Sequence, residues 1–366
     1  MAENYQKYGI ISQSFYPPFL PDFQRSPLYS FLISFIPISW VLFIQHLMIL
    51  ISGYFIQKLS FRYSNEPNVL HYLGVFFSLC PYSINLASLI MTETLFIFLL
   101  TAFGSFFLLF IEKKSWKYLF FLTFFFILAC YTRASALPMI FWVTIAIFWI
   151  SRSIFKSVVF MWCTFIGLIP WIYRNQVYTG KWFFTSMSEI STHYGRIGGT
   201  ALAFNKEMKL DPFLKVEADF YVSQQYPLEK MKSYFQNHVS EESEFLNFPY
   251  TWIYFKQNLE MPLHAMVYQI RCFFQQMTGV SYGMSVHLYS NKALAWLMGG
   301  FQMIFIIFIY FFYLRLILKN RSPLSWLWLI SIIFWLIIHN AAWADGRYRY
   351  PTDLWCILGI LVLDKK

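Results

Sequence analysis

Charged residues are scarce in this sequence. Only 13% of its 366 residues are Asp, Glu, Lys or Arg, whereas soluble domains carry about 25%. Hydrophobic residues make up 58%, including 43 Phe, 25 Tyr and 14 Trp. This composition excludes a disordered chain and an ordinary soluble domain, and it predicts a helical protein that crosses a membrane several times.

Several common chemical motifs are also absent. The five cysteines form no CxxC pair, so we expect neither a disulfide framework nor a zinc site. We interpret them as small buried hydrophobic residues. The sequence has no P-loop and no HExxH motif, and we expect no metal-ligand residues and no cofactor, while metal dependence stays open.

Long uncharged apolar runs divide the chain. A bilayer core takes about 20 helical residues, so Tyr118–Ser151 is too long for one crossing. Arg133 interrupts it, which predicts a helical hairpin turning at Thr132–Ser135. The runs predict an all-α polytopic membrane protein with a bundle of about 8–10 helices and an extracytoplasmic domain. The runs are Ser39–Ile56, Pro67–Thr92, Thr94–Ile111, Tyr118–Thr132, Ala134–Ser151, Ser157–Tyr173, Ala293–Leu314, Ser322–Ala344 and Leu354–Leu363.

Basic residues cluster in alternate short loops. These loops hold 12 basic residues against three acidic ones, and the positive-inside rule places such loops in the cytoplasm. The turns between them, at Met91–Glu93, Arg133, 174–292 and Asp345–Tyr350, are then outside. The basic residues are Lys58, Arg62, Lys113, Lys114, Lys117, Arg152, Lys156, Arg315, Lys319, Arg321, Lys365 and Lys366; the acidic ones are Glu66, Glu112 and Asp364.

One segment differs in composition from the rest. Residues 181–292 contain 10 basic and 10 acidic side chains, which indicates a region outside the bilayer. We predict an extracytoplasmic first-loop remnant at 1–38, an N-terminal transmembrane bundle at 39–173, an extracytoplasmic loop domain at 174–292 and a C-terminal transmembrane bundle at 293–366. The net charge of +10 therefore belongs to the apolar regions and their loops. It reflects membrane topology, and we expect no nucleic-acid partner.

Three arginines are predicted at the same depth. Arg25 precedes the first apolar segment, Arg133 lies in the hairpin turn, and Arg174 follows an apolar run. Each fits an interfacial anchor whose aliphatic stem lies along lipid. Together, their guanidinium groups suit the oxygens of a phosphate.

Glu93 is a lone carboxylate between two long apolar runs. Acidic residues in such positions are costly and are commonly functional. The alternative is a helix N-cap at the membrane surface, where Thr92 or Thr94 starts the helix and Glu93 favours its positive end. Both interpretations stay open on the sequence.

A second basic motif lies near the C-terminus. Arg347 and Arg349 alternate with Tyr348 and Tyr350, and Pro351 follows at a position that suits a helix start. An aromatic belt with basic anchors explains this pattern. However, the motif puts positive charge outside, against the usual bias, and this favours an anionic ligand.

These residues, in this order, resemble the GT-C superfamily of membrane glycosyltransferases, in particular protein-mannosyltransferase-like, aminoarabinose-transferase-like and bacterial family-39-like enzymes. The resemblance covers most of the chain. The similar segments are Arg25-Ser26-Pro27-Leu28-Tyr29 (RPPxYP-type), Pro81 with Thr92-Glu93-Thr94-Leu95-Phe96 (P…SETLF), Ala129-Cys130-Tyr131-Thr132-Arg133 (LATLTRP), Pro170-Trp171-Ile172-Tyr173-Arg174-Asn175 with Gly180 (PWxxRN…G), and Arg347-Tyr348-Arg349-Tyr350-Pro351 (RYxxP).

The resemblance implies a function and a set of site residues. The donor would be a sugar on a polyprenyl phosphate, and the sugar would go to a glycan, lipid or protein acceptor at the extracytoplasmic face of a bacterial inner membrane. Glu93 corresponds to a supporting acid. The site residues implied are Arg25, Arg133, Arg174, Arg347 and Arg349 for the donor phosphate, with Tyr29, Asn175 and Tyr348 beside them.

The main catalytic base is expected upstream of Met1. The family's catalytic Asp lies just after its first transmembrane helix, and Ala2–Gly9 resembles the helix that follows this Asp. Residues 1–38 also need a preceding helix to carry them outside. We expect the gene to continue upstream with such a helix and the Asp, and the 366-residue form to lack transferase activity. A truncated paralogue, inactive or borrowing another base, is the alternative.

Transport and polymerisation form the competing functional class. A lipid-linked saccharide transporter or an O-antigen polymerase or ligase also has many helices, outer arginines and a large outer loop. A transporter predicts mid-membrane charges and repeat symmetry, which the sequence lacks. The charge pattern of the sequence does not distinguish a polymerase from a transferase. The lipid-linked donor does, because a transferase requires a monosaccharide phosphate and a polymerase requires a diphosphate-linked oligosaccharide.

Overall fold

Helices make up the described part of the chain. A computed structural model describes residues 25–63, 72–180, 182–185, 266, 292–320, 325–326, 328–333 and 350–364, and these contain no strand. The helical class predicted from the sequence is confirmed. The helices are α1 (Leu28–Ser34), α2 (Ile38–Tyr63), α3 (Leu73–Leu79), α4 (Pro81–Ala87), α5 (Thr92–Lys113), α6 (Trp116–Thr132), α7 (Met139–Ser151), α8 (Ile154–Thr179), α9 (Lys292–Asn320) and α10 (Tyr350–Asp364).

Three helices in the described residues are long and apolar enough to cross a membrane. They are α2, α5 and the Ile154–Val177 part of α8, while α6 and α7 are shorter apolar helices. These features are consistent with an all-α membrane protein. Most of the predicted loop domain at 174–292 lies outside the described residues.

The turn predicted at Arg133 is confirmed, but α6 and α7 do not pack against each other as a hairpin. Helix α6 ends at Thr132, a 3₁₀ turn follows at Ala134–Ala136, and α7 begins at Met139. Arg133 takes an extended backbone conformation between α6 and the turn. Pro138 precedes α7, where its missing N–H costs no helical hydrogen bond.

The apolar run Pro67–Thr92 does not form one helix. Cys80 is extended, with φ −57° and ψ 126°, and it separates α3 from α4. The residue before a proline disfavours the helical conformation, and Pro81 therefore accounts for the break. Two short helices replace the single crossing that the length of the run indicates.

Helix α8 continues beyond the predicted bundle boundary at residue 173. It ends at Thr179, where Gly180 adopts the left-handed conformation with φ 74°. Glycine has no Cβ to clash there, so it ends a helix easily. Arg174 and Asn175 therefore lie within the helix.

Helix α5 lies at the centre of the described helices. In the most apolar 18 residues of α5, 78% are buried, whereas the matching share is 28% in α2 and in α8. Large apolar side chains cover the outward sides of α2 and α8, among them Phe43, Leu50, Trp162 and Ile166. Such surfaces suit lipid better than water. Cys163 is also exposed on α8, and the interpretation that it is buried is wrong because this side of the helix faces away from the bundle.

Side-chain contacts define two ends of the bundle. At the Glu112 end, Arg62 at the end of α2 contacts Glu112 at the end of α5. At the Glu93 end, Glu93 at the start of α5 contacts Arg133 after α6. The hairpins α5–α6 and α7–α8 each turn at the Glu112 end.

Candidate functional site

Glu93 and Arg133 form a buried ion pair. Arg133 Nη1 lies 2.7 Å from Glu93 Oε1, and the two side chains are 17% and 6% exposed. The separation is that of a charge-assisted hydrogen bond. The Arg133 guanidinium also lies 5.8 Å from the centre of the Phe96 ring, within reach of a cation–π contact.

The start of α5 places Glu93. The helix begins at Thr92, and Glu93 occupies its first turn, where a negative charge complements the helix dipole. That part of the surface interpretation is confirmed. Thr92 starts the helix, as that interpretation predicts, but Met91 is the N-cap residue and no side-chain hydrogen bond caps the helix. The Thr92 hydroxyl instead donates to Glu93 Oε2 at 3.2 Å.

A chain of buried hydrogen bonds supports this turn. The Gln45 amide donates to the Leu89 carbonyl at 2.7 Å and to the Thr94 hydroxyl at 3.2 Å. The Thr94 hydroxyl donates to the Leu86 carbonyl at 3.1 Å. Gln45, in the first half of α2, thereby contacts the backbone before Glu93 and the Thr94 side chain after it.

Tyr29 joins the same set from α1. Its buried hydroxyl donates to Gln45 Oε1 at 3.2 Å. Burial and the negative charge of Glu93 raise the pKa of Tyr29 above its usual value. The phenol is therefore a neutral hydrogen-bond donor within the electrostatic influence of Glu93.

Arg174 and Asn175 form a second polar group near the end of α8. Arg174 Nη1 donates to Asn175 Oδ1 at 2.8 Å, and its guanidinium lies 4.4 Å from the centre of the Trp171 ring. Asn175 is fully buried and donates to the carbonyls of Phe183 and Phe184. Asn175 therefore anchors the chain that follows α8.

Tyr131 connects the two polar groups. Its hydroxyl donates to the Gly167 carbonyl of α8 at 2.9 Å, one turn from Pro170, which cannot make a helical hydrogen bond. Its ring meets Phe184 edge to face at 5.7 Å between centroids. Tyr131 lies two positions before Arg133, and the ends of α6 and α8 are therefore held at the same end of the bundle.

The other predicted site residues are placed in part. Arg25 is exposed and lies three residues before the start of α1, the helix of Tyr29. Arg347, Tyr348 and Arg349 lie outside the described residues, and their approach to the buried pair stays a prediction. Helix α10 includes Pro351 in its first turn, as the sequence predicts.

Gln45 and Thr94 were not predicted as site residues. Gln45 is an uncharged polar side chain inside the apolar run Ser39–Ile56, and a polar residue in such a run is itself a signal. Its partners follow from the rotation of α2, which the sequence pattern does not specify.

The arginines at the Glu93 end suit an anion, because guanidinium groups donate to phosphate oxygens. In the residues that the structure describes, no group of three or more His, Cys, Asp or Glu side chains could hold a metal. The charged groups of the Glu93 end instead combine arginines with a single carboxylate. Comparisons of the chain with models of known families, with curated proteins and with solved structures find no match.

Proposed function

We propose that the protein is a membrane glycosyltransferase. It transfers a sugar from a polyprenyl-phosphate donor to a glycan, lipid or protein acceptor at the Glu93 end, on the extracytoplasmic side of a bacterial inner membrane. The proposal joins the resemblance to the GT-C superfamily with one observation, the buried Glu93–Arg133 pair.

The buried pair supports the proposal because it holds an arginine at a helix end without leaving a lone charge in an apolar bundle. A guanidinium has five N–H donors in a planar fork, and this geometry suits the oxygens of a phosphate. Arg174, from the same end of the bundle, offers a second guanidinium. Two arginines suit the two charges that a phosphate monoester develops as it leaves.

The chemistry assigns each group a role. The acceptor hydroxyl attacks the anomeric carbon, the bond from that carbon to the phosphate oxygen breaks, and the hydroxyl proton passes to a base. The arginines stabilise the departing polyprenyl phosphate. Glu93 orients Arg133.

The test compares cell-surface glycans with and without the gene by mass spectrometry. We expect deletion to remove a single sugar substituent from a glycan, lipid or protein. The wild-type gene restores it, and Arg174→Gln restores it poorly. The matched control is the double variant Arg62→Gln/Glu112→Gln, which changes the other end of the bundle and should restore it fully.

Two outcomes would overturn the proposal. Unchanged glycans after deletion would exclude a transferase that acts on surface molecules. A shortened polymer with its branching sugars intact would instead favour a polymerase or ligase, the alternative that the charge pattern leaves open.

A further inference from the structure

The Glu112 end carries two adjacent turns with an unusual backbone. Lys114 ends α5 and Arg152 ends α7, both in the left-handed conformation, with φ 50° and 54°. Glycine or asparagine suits this conformation best. Here two long basic side chains occupy it, at helix ends whose carbonyls favour positive charge.

The two turns pack against each other. The Lys156 ammonium donates to the Lys114 carbonyl at 2.6 Å and lies 5.6 Å from the centre of the Trp116 ring. Trp116 meets Phe155 edge to face at 5.7 Å. We call the residues of these turns, 113–117 and 152–156, the two-turn surface.

Among the side chains that the structure describes at this end, positive charges outnumber negative ones. Glu112 is the one acid among the side chains that the structure describes there, and it already contacts Arg62 and Lys113. Most of the basic side chains are exposed to the surroundings. The exposed ones are Lys58, Arg62, Lys113, Lys114, Lys117 and Arg152.

Exposed aromatic rings accompany the charges. Trp116, Trp149 and Phe155 are 48%, 42% and 67% exposed, and the Arg152 guanidinium lies 4.8 Å from the centre of the Trp149 ring. Tryptophan with lysine and arginine is typical of the level of lipid headgroups. The apolar outward sides of α2 and α8 begin directly beside this surface.

We propose that the two-turn surface binds the headgroups of anionic phospholipids. Its position at the end of apolar helices puts a bilayer within reach, and a nearby anionic surface attracts juxtamembrane basic residues. The attraction falls off within about 10 Å at 0.1 M salt, so exposed side chains next to the bilayer contribute most. This proposal does not depend on the glycosyltransferase activity.

The left-handed residues provide variants that keep the fold. Lys114→Gly/Arg152→Gly removes two charges and relaxes the backbone at both positions, and Lys117→Gln removes a third charge. The matched control, Arg62→Gln/Glu112→Gln, removes one positive and one negative charge from the same end without changing the net charge.

The experiment measures lipid selectivity in reconstituted vesicles. Spin-labelled phosphatidylglycerol and phosphatidylcholine report the fraction of each lipid that the protein immobilises. We expect the full chain to prefer phosphatidylglycerol several-fold, the preference to fall as salt rises, and the triple variant to lose most of it. The control variant should keep the preference.

Three results would overturn the proposal: equal immobilisation of the two lipids by the full chain, an unchanged preference in the triple variant, or loss of the preference on adding inorganic phosphate at constant ionic strength. The last would assign the surface to a soluble anion. Circular dichroism of each variant confirms that the helices remain formed.

Discussion

The two ends of the bundle hold ion pairs of the same chemistry in different surroundings. Arg133 and Glu93 are separated by 2.7 Å, and Arg62 and Glu112 by 2.8 Å. The first pair is 17% and 6% exposed, whereas the second is 46% and 23% exposed. Distance alone would rank them as equals, and burial is what separates them.

Burial changes what each pair does for the protein. An exposed ion pair loses little hydration when it forms, and it adds little to the stability of the protein because water and salt screen its charges. A buried pair gains little net stability, but the loss of one partner leaves an isolated charge away from water. The Glu93 end should therefore tolerate paired replacement and resist single replacement, while the Glu112 end should tolerate both.

The largest effect is expected for Arg133→Gln. It leaves the Glu93 carboxylate buried without its cation, and we expect the free energy of unfolding to fall by about 3–5 kcal/mol. Unfolding in detergent micelles, followed by circular dichroism, measures the change. The double variant Glu93→Gln/Arg133→Gln should recover most of the loss. A loss no greater than that of Arg62→Gln would remove the distinction between the ends.

A smaller effect is expected for Gln45→Leu. This change removes the amide that bonds the Leu89 carbonyl and Thr94, and it takes the acceptor from Tyr29. We expect a loss of about 1–3 kcal/mol, because buried polar groups lose their partners. The neighbouring His46→Leu, on a more exposed side of α2, serves as the control and should change the unfolding free energy less. Equal losses would show that Gln45 is not a support of the Glu93 end.

The smallest effect is expected for Arg62→Gln. The pair is bidentate, with Arg62 donating to both Glu112 oxygens, but its exposure limits the loss to about 0–1 kcal/mol. The loss should shrink further as salt rises, because screening weakens exposed pairs. A large loss of unfolding free energy that does not depend on salt would mean that the Arg62–Glu112 pair is shielded from water. It would contradict the difference in exposure between the two ends.

The sequence specifies some elements well and others poorly. The length of Tyr118–Ser151 and its single charge correctly predict the break between α6 and α7 at Arg133, since neither a longer crossing nor a buried lone charge is favourable. The same length argument fails for Pro67–Thr92, where Pro81 imposes a break. The conformational restriction that Pro81 places on Cys80 outweighs the length of the run, and the proline is visible in the sequence.

Contacts between helices are harder to predict from the sequence than the helices themselves. The sequence puts Glu93 and Arg133 at one end, but their direct ion pair depends on how α5 and α6 are rotated. The crossing of α2 and α3 is similar: a methyl group on Gly53 would lie 2.6 Å from the Gly74 carbonyl oxygen. Only glycine fits such a close approach. The sequence does not show that these two glycines lie against each other.

Donor-lipid binding by two paired variants tests the central claim most directly. Polyprenyl phosphate is titrated into nanodiscs that contain the wild type, Glu93→Gln/Arg133→Gln or Arg62→Gln/Glu112→Gln. Neither variant changes the net charge, and neither leaves a lone member of its pair. Since a charge-assisted contact contributes about 1.5–3 kcal/mol, we expect the first variant to bind about 10- to 100-fold more weakly, and the second to bind as the wild type does. Equal affinity in all three proteins, or weaker binding in the second variant alone, would contradict a phosphate site at the Glu93 end.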